Sequence, residues 1–172
     1  MIEAVLEFLA EGGAVLKLIL LVTLIMWILI CDRILFFRYQ CQQMQSDFLS
    51  RWKESLSTDS WTADRIQESL LSQFRQESFK NIDMIKTLVN LCPLLGLLGT
   101  VTGMISVFDV MAITGTGNAR LMASGISMAT IPTMAGMVTA LSGLYFSAAL
   151  SKKAKTHSAT LLEQLNELKE NH

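Results

Sequence analysis

The sequence predicts an all-α membrane protein with three transmembrane helices. Three apolar segments reach the length of about 20 residues that a bilayer-crossing helix needs, at 14–31, 88–113 and 121–150. Charged residues make up 17% of the 172-residue chain and hydrophobic residues 51%. Because soluble domains carry roughly 25% charged residues, this composition argues against a soluble protein with three buried helices.

The distribution of lysine and arginine predicts the orientation. Residues 1–13 contain neither, residues 32–87 contain eight, and the tail at 151–172 contains four. Positively charged loops remain in the cytoplasm. We therefore expect the N-terminus and the turn at 114–120 on the periplasmic side, and residues 32–87 and the tail in the cytoplasm.

Residues 1–13 are expected to form a periplasmic amphipathic helix. Apolar residues share one face, and Glu3, Glu7 and Glu11 recur on another. The acidic face is either the solvated side of an interfacial helix or a rim that gathers cations. The dipeptide at Gly12 and Gly13 should end this helix before the first span.

The region 32–87 should be helical. The first span is expected to continue through Phe36 as far as Trp52, with a turn at 57–60. Apolar residues then mark one side of a helix that leads into the second span, and neither proline nor glycine interrupts it before Pro93.

The second span, 88–113, has one face rich in glycine and another with polar side chains. Gly96, Gly99 and Gly103 would allow a neighbouring helix to approach closely. Thr102, Ser106 and Asp109 lie within about 60° of one another on a helix, on a side well away from Thr100. We expect one face to pack against a helix and the other to meet water.

The third span, 121–150, carries a small or polar residue at every third position from Ser124 to Ser142. Since each step of three turns the position by about −60°, these residues circle the helix and cannot all face one pore. Most are expected to serve packing, as Gly136 does, with hydroxyls that bond back to the helix carbonyls. A heptad-like seam in the tail extends this element to roughly 50 residues.

Lys17 and Asp109 are charged residues that each lie near the outer end of a span. We therefore expect them at a similar depth in the membrane. They could form an ion pair within or between subunits, or each could reach interfacial water separately. No acid lies in the middle of any span. A proton path through such a chain would need a carboxylate from a partner.

Other function classes find little support. The net charge of −1 excludes a strongly basic nucleic-acid surface. Three cysteines, in no CxxC arrangement, suggest neither a zinc site nor a disulfide framework, and we read them as packing residues. No nucleophile–base pair or paired carboxylates lie in a span, so we expect no enzyme activity, no metal and no cofactor.

Residues 93–105, PLLGLLGTVTGMI, resemble the ExbB/TolQ/MotA proton-channel family. The resemblance extends from the first span to about Leu150, and the three-span layout and short tail are closer to ExbB than to MotA. It implies a bacterial inner-membrane pentamer that encloses the spans of an ExbD-like dimer. It further implies that the partner supplies an intramembrane aspartate and that a TonB-like protein transmits the resulting motion to outer-membrane transporters.

The same resemblance places the family's pore threonines at Thr100 and Thr133. They would line the proton path and offer hydroxyls to water or to the partner's aspartate, without titrating. One departure is Met128, near a position where ExbB and TolQ proteins commonly carry a glutamate. The expected role is therefore an ExbB-type proton-channel subunit, with a TolQ-like envelope motor or a non-conducting membrane scaffold as alternatives, and a MotA-like flagellar role as a weaker one.

Overall fold

The computed structural model describes residues 12–55, 60–115 and 119–170, and nearly all of them are helical. A π-helical segment, Phe36–Gln40, joins the first two α-helices. The expected amphipathic helix at 1–13 lies outside the described residues, apart from its last two glycines. The α-helices, in chain order, are α1 Gly13–Leu35, α2 Cys41–Ser55, α3 Ser60–Phe79, α4 Ile82–Thr114 and α5 Ala119–Glu170.

Three of the described stretches are long and apolar enough to cross a membrane. They lie within Gly13–Gln40, Arg65–Ile113 and Met122–Glu167. The predicted all-α fold with three candidate spans is thus confirmed for the described residues. The 52 residues of α5 also match the long third helix that the tail pattern predicts.

One helix ends where the sequence pattern suggests continuity. Helix α3 stops at Phe79, and Asn81 adopts a left-handed backbone with φ of 63°. The Lys80 N–H donates to the Gln76 carbonyl at 3.0 Å, which closes the last turn. Asparagine tolerates this conformation better than other residues with a side chain, so it ends a helix without glycine or proline.

Helix α4 ends in a similar way, at Gly115. Its φ is 73°, and its N–H donates to the Met111 carbonyl at 3.0 Å. Glycine adopts this backbone at no steric cost. The ending falls within the expected turn at 114–120.

The chain divides into two compact units. The first comprises Met1–Ile28 with Ile85–Tyr145, and the second comprises Leu29–Met84 with Phe146–His172. In the first unit, aliphatic and thiol side chains from α1 and α4 form a buried cluster that burial of apolar area stabilises. Its members are Ile19, Val22, Cys92 and Leu95.

The second unit has an aromatic core. Trp52 is fully buried, and its indole N–H donates to the Leu165 carbonyl at 3.2 Å. The rings of Phe48 and Phe74 meet edge to face at 6.0 Å. The described part of the tail seam packs here, inside the same chain; its buried members are Ala154, Ser158, Leu161 and Leu165.

Candidate functional site

Helices α4 and α5 approach closely in the first unit because glycines lie at their contact. A Cβ atom at Gly96 would come within 3.0 Å of the Thr133 Cα. A Cβ at Gly136 would come within 2.6 Å of the Cys92 carbonyl oxygen. Real Cβ atoms do not approach backbone so closely, so only glycine fits at Gly136 without a shift of the helices.

The same contact continues along α4. A Cβ at Gly99 would lie 2.6 Å from the Pro132 Cβ, and one at Gly103 would lie 2.6 Å from the Ala129 Cα. The glycines that the sequence assigns to helix packing therefore lie where the backbones meet. Small residues permit such an approach between membrane helices, where van der Waals packing drives association.

Of the two threonines assigned to the proton path, Thr133 lies at this contact, and Thr100 bonds within its own helix. The Thr133 hydroxyl is 3.0 Å from the Gly96 carbonyl oxygen on α4 and 3.3 Å from the Ala129 carbonyl oxygen on its own helix. The Thr100 hydroxyl donates to the Leu97 carbonyl at 2.7 Å. Both side chains are half-buried. Thr133 therefore takes part in the bond between α4 and α5, whereas the Thr100 bond is local to α4.

These bonds define what the hydroxyls can do chemically. A hydroxyl has one hydrogen to donate and two lone pairs to accept with. In Thr100 and Thr133 the hydrogen is directed to a backbone carbonyl, so the lone pairs are what each offers to a further group. Such a hydroxyl can accept from water or from a protonated carboxyl group, but it does not titrate in the physiological range.

Like Thr100, several further hydroxyls in α4 and α5 bond back to their own helix. Thr130 does so to Ile126 at 3.2 Å, and Ser142 to Thr139 at 2.8 Å. On α4, Ser106 donates to Thr102 at 3.1 Å. The prediction that ladder hydroxyls bond to their own helix carbonyls is confirmed for Thr130 and Ser142, as side-chain hydroxyls in membrane helices commonly do.

Sequence reasoning missed a hydroxyl on the first span. Thr23 donates to the Ile19 carbonyl at 2.7 Å, and its oxygen lies 3.5 Å from the Thr139 hydroxyl on α5. Thr23 and Thr139 form a second polar contact in the first unit. The available signal was the isolation of Thr23, the only hydroxyl residue within 14–31.

Large apolar side chains on α4 and α5 are exposed in the single chain. Leu94 on α4 is 61% exposed, and Val138 and Leu141 on α5 are both 68% exposed. A cavity of about 370 Å³ lies beside them. Asn90 is its polar lining residue, and the others are Val89, Pro93, Met137, Ala140, Leu141 and Leu144. In a membrane protein such surfaces face lipid or another helix.

Lys17 and Asp109 are both exposed, and among the described residues they form no ion pair with each other. An ion pair elsewhere in the described residues joins the Lys80 ammonium to the Glu77 carboxylate at 3.6 Å. A pair between Lys17 and Asp109 therefore stays a prediction for neighbouring subunits.

Met128 is half-buried, and its sulfur lies 3.8 Å from the position of a Cβ on Gly13.

The cysteines differ in exposure. Cys41 and Cys92 are buried as expected of packing residues, whereas Cys31 is exposed, so the packing role expected for it is not present within this chain; all three are free thiols. Burial raises the pKa of the Cys41 thiol, so this group stays protonated near neutral pH. Within the ranges that the structure describes, no group of three or more His, Cys, Asp or Glu is placed to hold a metal ion.

Comparison with known proteins gives a family match. Residues 36–163 match the model of the MotA/TolQ/ExbB proton channel family. A biopolymer transport protein of Synechocystis sp., ExbB-like 1, is 48% identical over 64 residues, which cover 36% of this chain and 25% of that relative. ExbB-like 3 of the same organism is 32% identical over 87 residues, 49% of this chain and 41% of that relative. The chain thus matches less than half the length of each relative.

Proposed function

The chain belongs to the MotA/TolQ/ExbB proton channel family, and from this premise we propose that it is a channel-forming subunit of an inner-membrane motor. The motor uses the proton motive force to energise TonB-dependent transport across the outer membrane. The observation that carries the proposal is the bond of the Thr133 hydroxyl to the Gly96 carbonyl, on the helix that also holds Thr100 one turn further along. Both threonines fall within the matched region, residues 36–163.

The chain's own chemistry supplies part of a proton path. Thr100 and Thr133 offer lone pairs that can solvate a proton carrier, but neither side chain exchanges a proton itself. The acid within 88–113 is Asp109, near one end, and 14–31 and 121–150 contain none. Because a low-dielectric path usually needs an ionisable carrier, the carboxylate is assigned to a single-span, ExbD-like partner. This role involves no enzymatic catalysis.

The exposed apolar surface of α4 and α5 supports assembly. Leu94, Val138 and Leu141 would pack against other subunits or against the spans of the partner. We assign the chain to a homo-oligomer, with the pentamer of the family as the expected state. The ExbD-like dimer would lie inside it, and a TonB-like protein would receive the motion.

The test is proton flux into liposomes that contain the purified protein, with and without the co-expressed ExbD-like protein. We expect flux only when the partner is present and its intramembrane aspartate is intact. Thr100→Ala combined with Thr133→Ala should reduce the flux at least tenfold while the oligomer still forms. Thr130→Ala is the control, because this hydroxyl lies on the same helix as Thr133 but is exposed and bonds to its own helix instead of to α4.

The outcomes separate the alternatives. Wild-type flux in the Thr100 and Thr133 double variant would overturn the pore assignment. Absence of flux with any partner would indicate a scaffold that conducts nothing. Restoration of envelope integrity, rather than of TonB-dependent uptake, in bacteria that lack the corresponding subunits would indicate a TolQ-like role.

A further inference from the structure

A polar cavity of about 450 Å³ lies in the second unit, beside the π-helical segment. We call it the Arg33 cavity. Its lining includes neither Thr100, Thr133 nor the glycines of the helix contact, and the proposed proton path does not use it. The residues that matter for its chemistry are Asp32, Arg33, Phe36, Tyr39, Glu77 and Lys80.

Arg33 is the buried charge of this cavity. Its side chain is 2% exposed, and its Nε atom is buried without a hydrogen-bond partner among the described residues. The guanidinium carbon lies 4.8 Å from the centre of the Phe36 ring, a contact that attracts a cation but accepts no ordinary hydrogen bond. A buried charge with an unsatisfied donor is costly unless a further group pairs with it.

The walls of the Arg33 cavity carry charges of both signs. Asp32 and Glu77 contribute carboxylates to the same lining as Arg33. Lys80 lies 3.6 Å from Glu77 and supplies a second cation. The two carboxylates would repel a simple anion, and Arg33 and Lys80 would repel a simple cation. The pattern instead suits a zwitterion that presents a phosphate and an ammonium group together.

The position of the cavity indicates where such a zwitterion would come from. Arg33 lies two residues beyond the apolar segment 14–31. Leu35 and Tyr39, which also line the cavity, are 55% and 66% exposed. Tyrosine and arginine at the end of a span are typical of the membrane–water interface, where phospholipid headgroups lie. The expected orientation makes this the cytoplasmic leaflet.

We propose that the Arg33 cavity binds the headgroup of a zwitterionic aminophospholipid. The phosphate would pair with Arg33 and Lys80, and the primary ammonium would donate to Asp32 and Glu77. The apolar Leu35 and the ring of Tyr39 would contact the upper part of the acyl chains. This site does not depend on proton conduction, and it can be tested whether or not the chain forms a channel.

The experiment is a lipid titration of the full-length oligomer by native mass spectrometry. Phosphatidylethanolamine is compared with phosphatidylcholine, which lacks ammonium hydrogens, and with phosphatidylglycerol, which lacks the ammonium. Soluble phosphoethanolamine is added as a competitor. We expect phosphatidylethanolamine to bind most tightly and the soluble compound to compete poorly. Arg33→Gln should weaken this binding about tenfold, since a charge-assisted hydrogen bond is lost. Arg38→Gln, at an exposed arginine on the same π-helical segment, should leave it unchanged.

A second variant keeps the proposal testable if Arg33→Gln does not fold. Asp32→Asn combined with Glu77→Gln removes both carboxylates and should shift the preference from phosphatidylethanolamine towards phosphatidylglycerol. Equal binding of the three lipids to the wild-type protein would overturn the proposal. So would effective competition by soluble phosphoethanolamine, which would indicate a site for a free metabolite. A smaller oligomer with unchanged lipid binding in Arg33→Gln would assign the cavity to a contact between subunits.

Discussion

The hydroxyl of Thr133 and the carbonyl oxygen of Gly96 meet at 3.0 Å across the contact between α4 and α5. A side chain at position 96 would disturb this contact, because its Cβ would lie 3.0 Å from the Thr133 Cα. The glycine and the threonine are thus two parts of one arrangement. Thr133 combines a structural bond between helices with the lone pairs that the proposed proton path requires.

This arrangement predicts different results for two substitutions of Thr133. Thr133→Val keeps the shape but removes the hydroxyl, and should destabilise the helix contact by about 1 kcal/mol, as lost hydrogen bonds between membrane helices do. Proton flux should fall as well. Thr133→Ser retains the hydroxyl and should preserve both properties. Thermal unfolding in detergent and flux in liposomes measure the two effects, and equal behaviour of the two variants would refute the role of the hydroxyl.

Gly103 predicts a steric effect. Its Cβ in Gly103→Ala would lie 2.6 Å from the Ala129 Cα, so the helices must move apart. Overpacking of this kind costs typically 1–3 kcal/mol. We expect a lower midpoint of thermal unfolding in detergent. Thr102→Ala, at the exposed neighbouring position, is the control and should change the midpoint little.

Lys17 and Asp109 predict an effect on assembly. Both are exposed in the single chain, so a bond between them would join neighbouring subunits. Asp109→Asn should then weaken the oligomer, because the partner lysine loses its counter-charge. Exchange of the two charges, with Lys17→Asp and Asp109→Lys together, should restore it. The mass of the oligomer in detergent measures this effect. An unchanged mass in Asp109→Asn would count against the ion pair.

Asn81 predicts a backbone effect at the junction of α3 and α4. With φ of 63°, it holds a conformation that costs an ordinary L-residue roughly 1–2 kcal/mol. Asn81→Ala should therefore lower the stability of the protein, whereas Asn81→Gly should be close to neutral. Unfolding of the two variants by heat, followed by circular dichroism, measures the difference. A continuous helix through this junction would make alanine the more stable variant, contrary to our expectation.

The sequence predicted those features that depend on local composition. The lengths of the apolar segments predicted three candidate spans, and the tail pattern predicted the long α5 helix, because both features repeat along the chain. The bonds of Thr130 and Ser142 to their own helix were also predictable, since a hydroxyl without an acceptor nearby uses its own backbone. The helix end at Asn81 was not predictable from the sequence, because a single asparagine favours the left-handed conformation only weakly.

The sequence by itself determined that this chain is helical, that it crosses a membrane, and which threonines and glycines deserved testing. Only the tertiary structure decided that Thr133 bonds to Gly96, that Thr23 approaches Thr139, and that the buried Arg33 lines a cavity together with Asp32 and Glu77. The reason is physical. Helix formation and membrane insertion depend on segment composition, whereas a hydrogen bond or a charged cavity depends on the rotation and separation of helices that are distant in the chain.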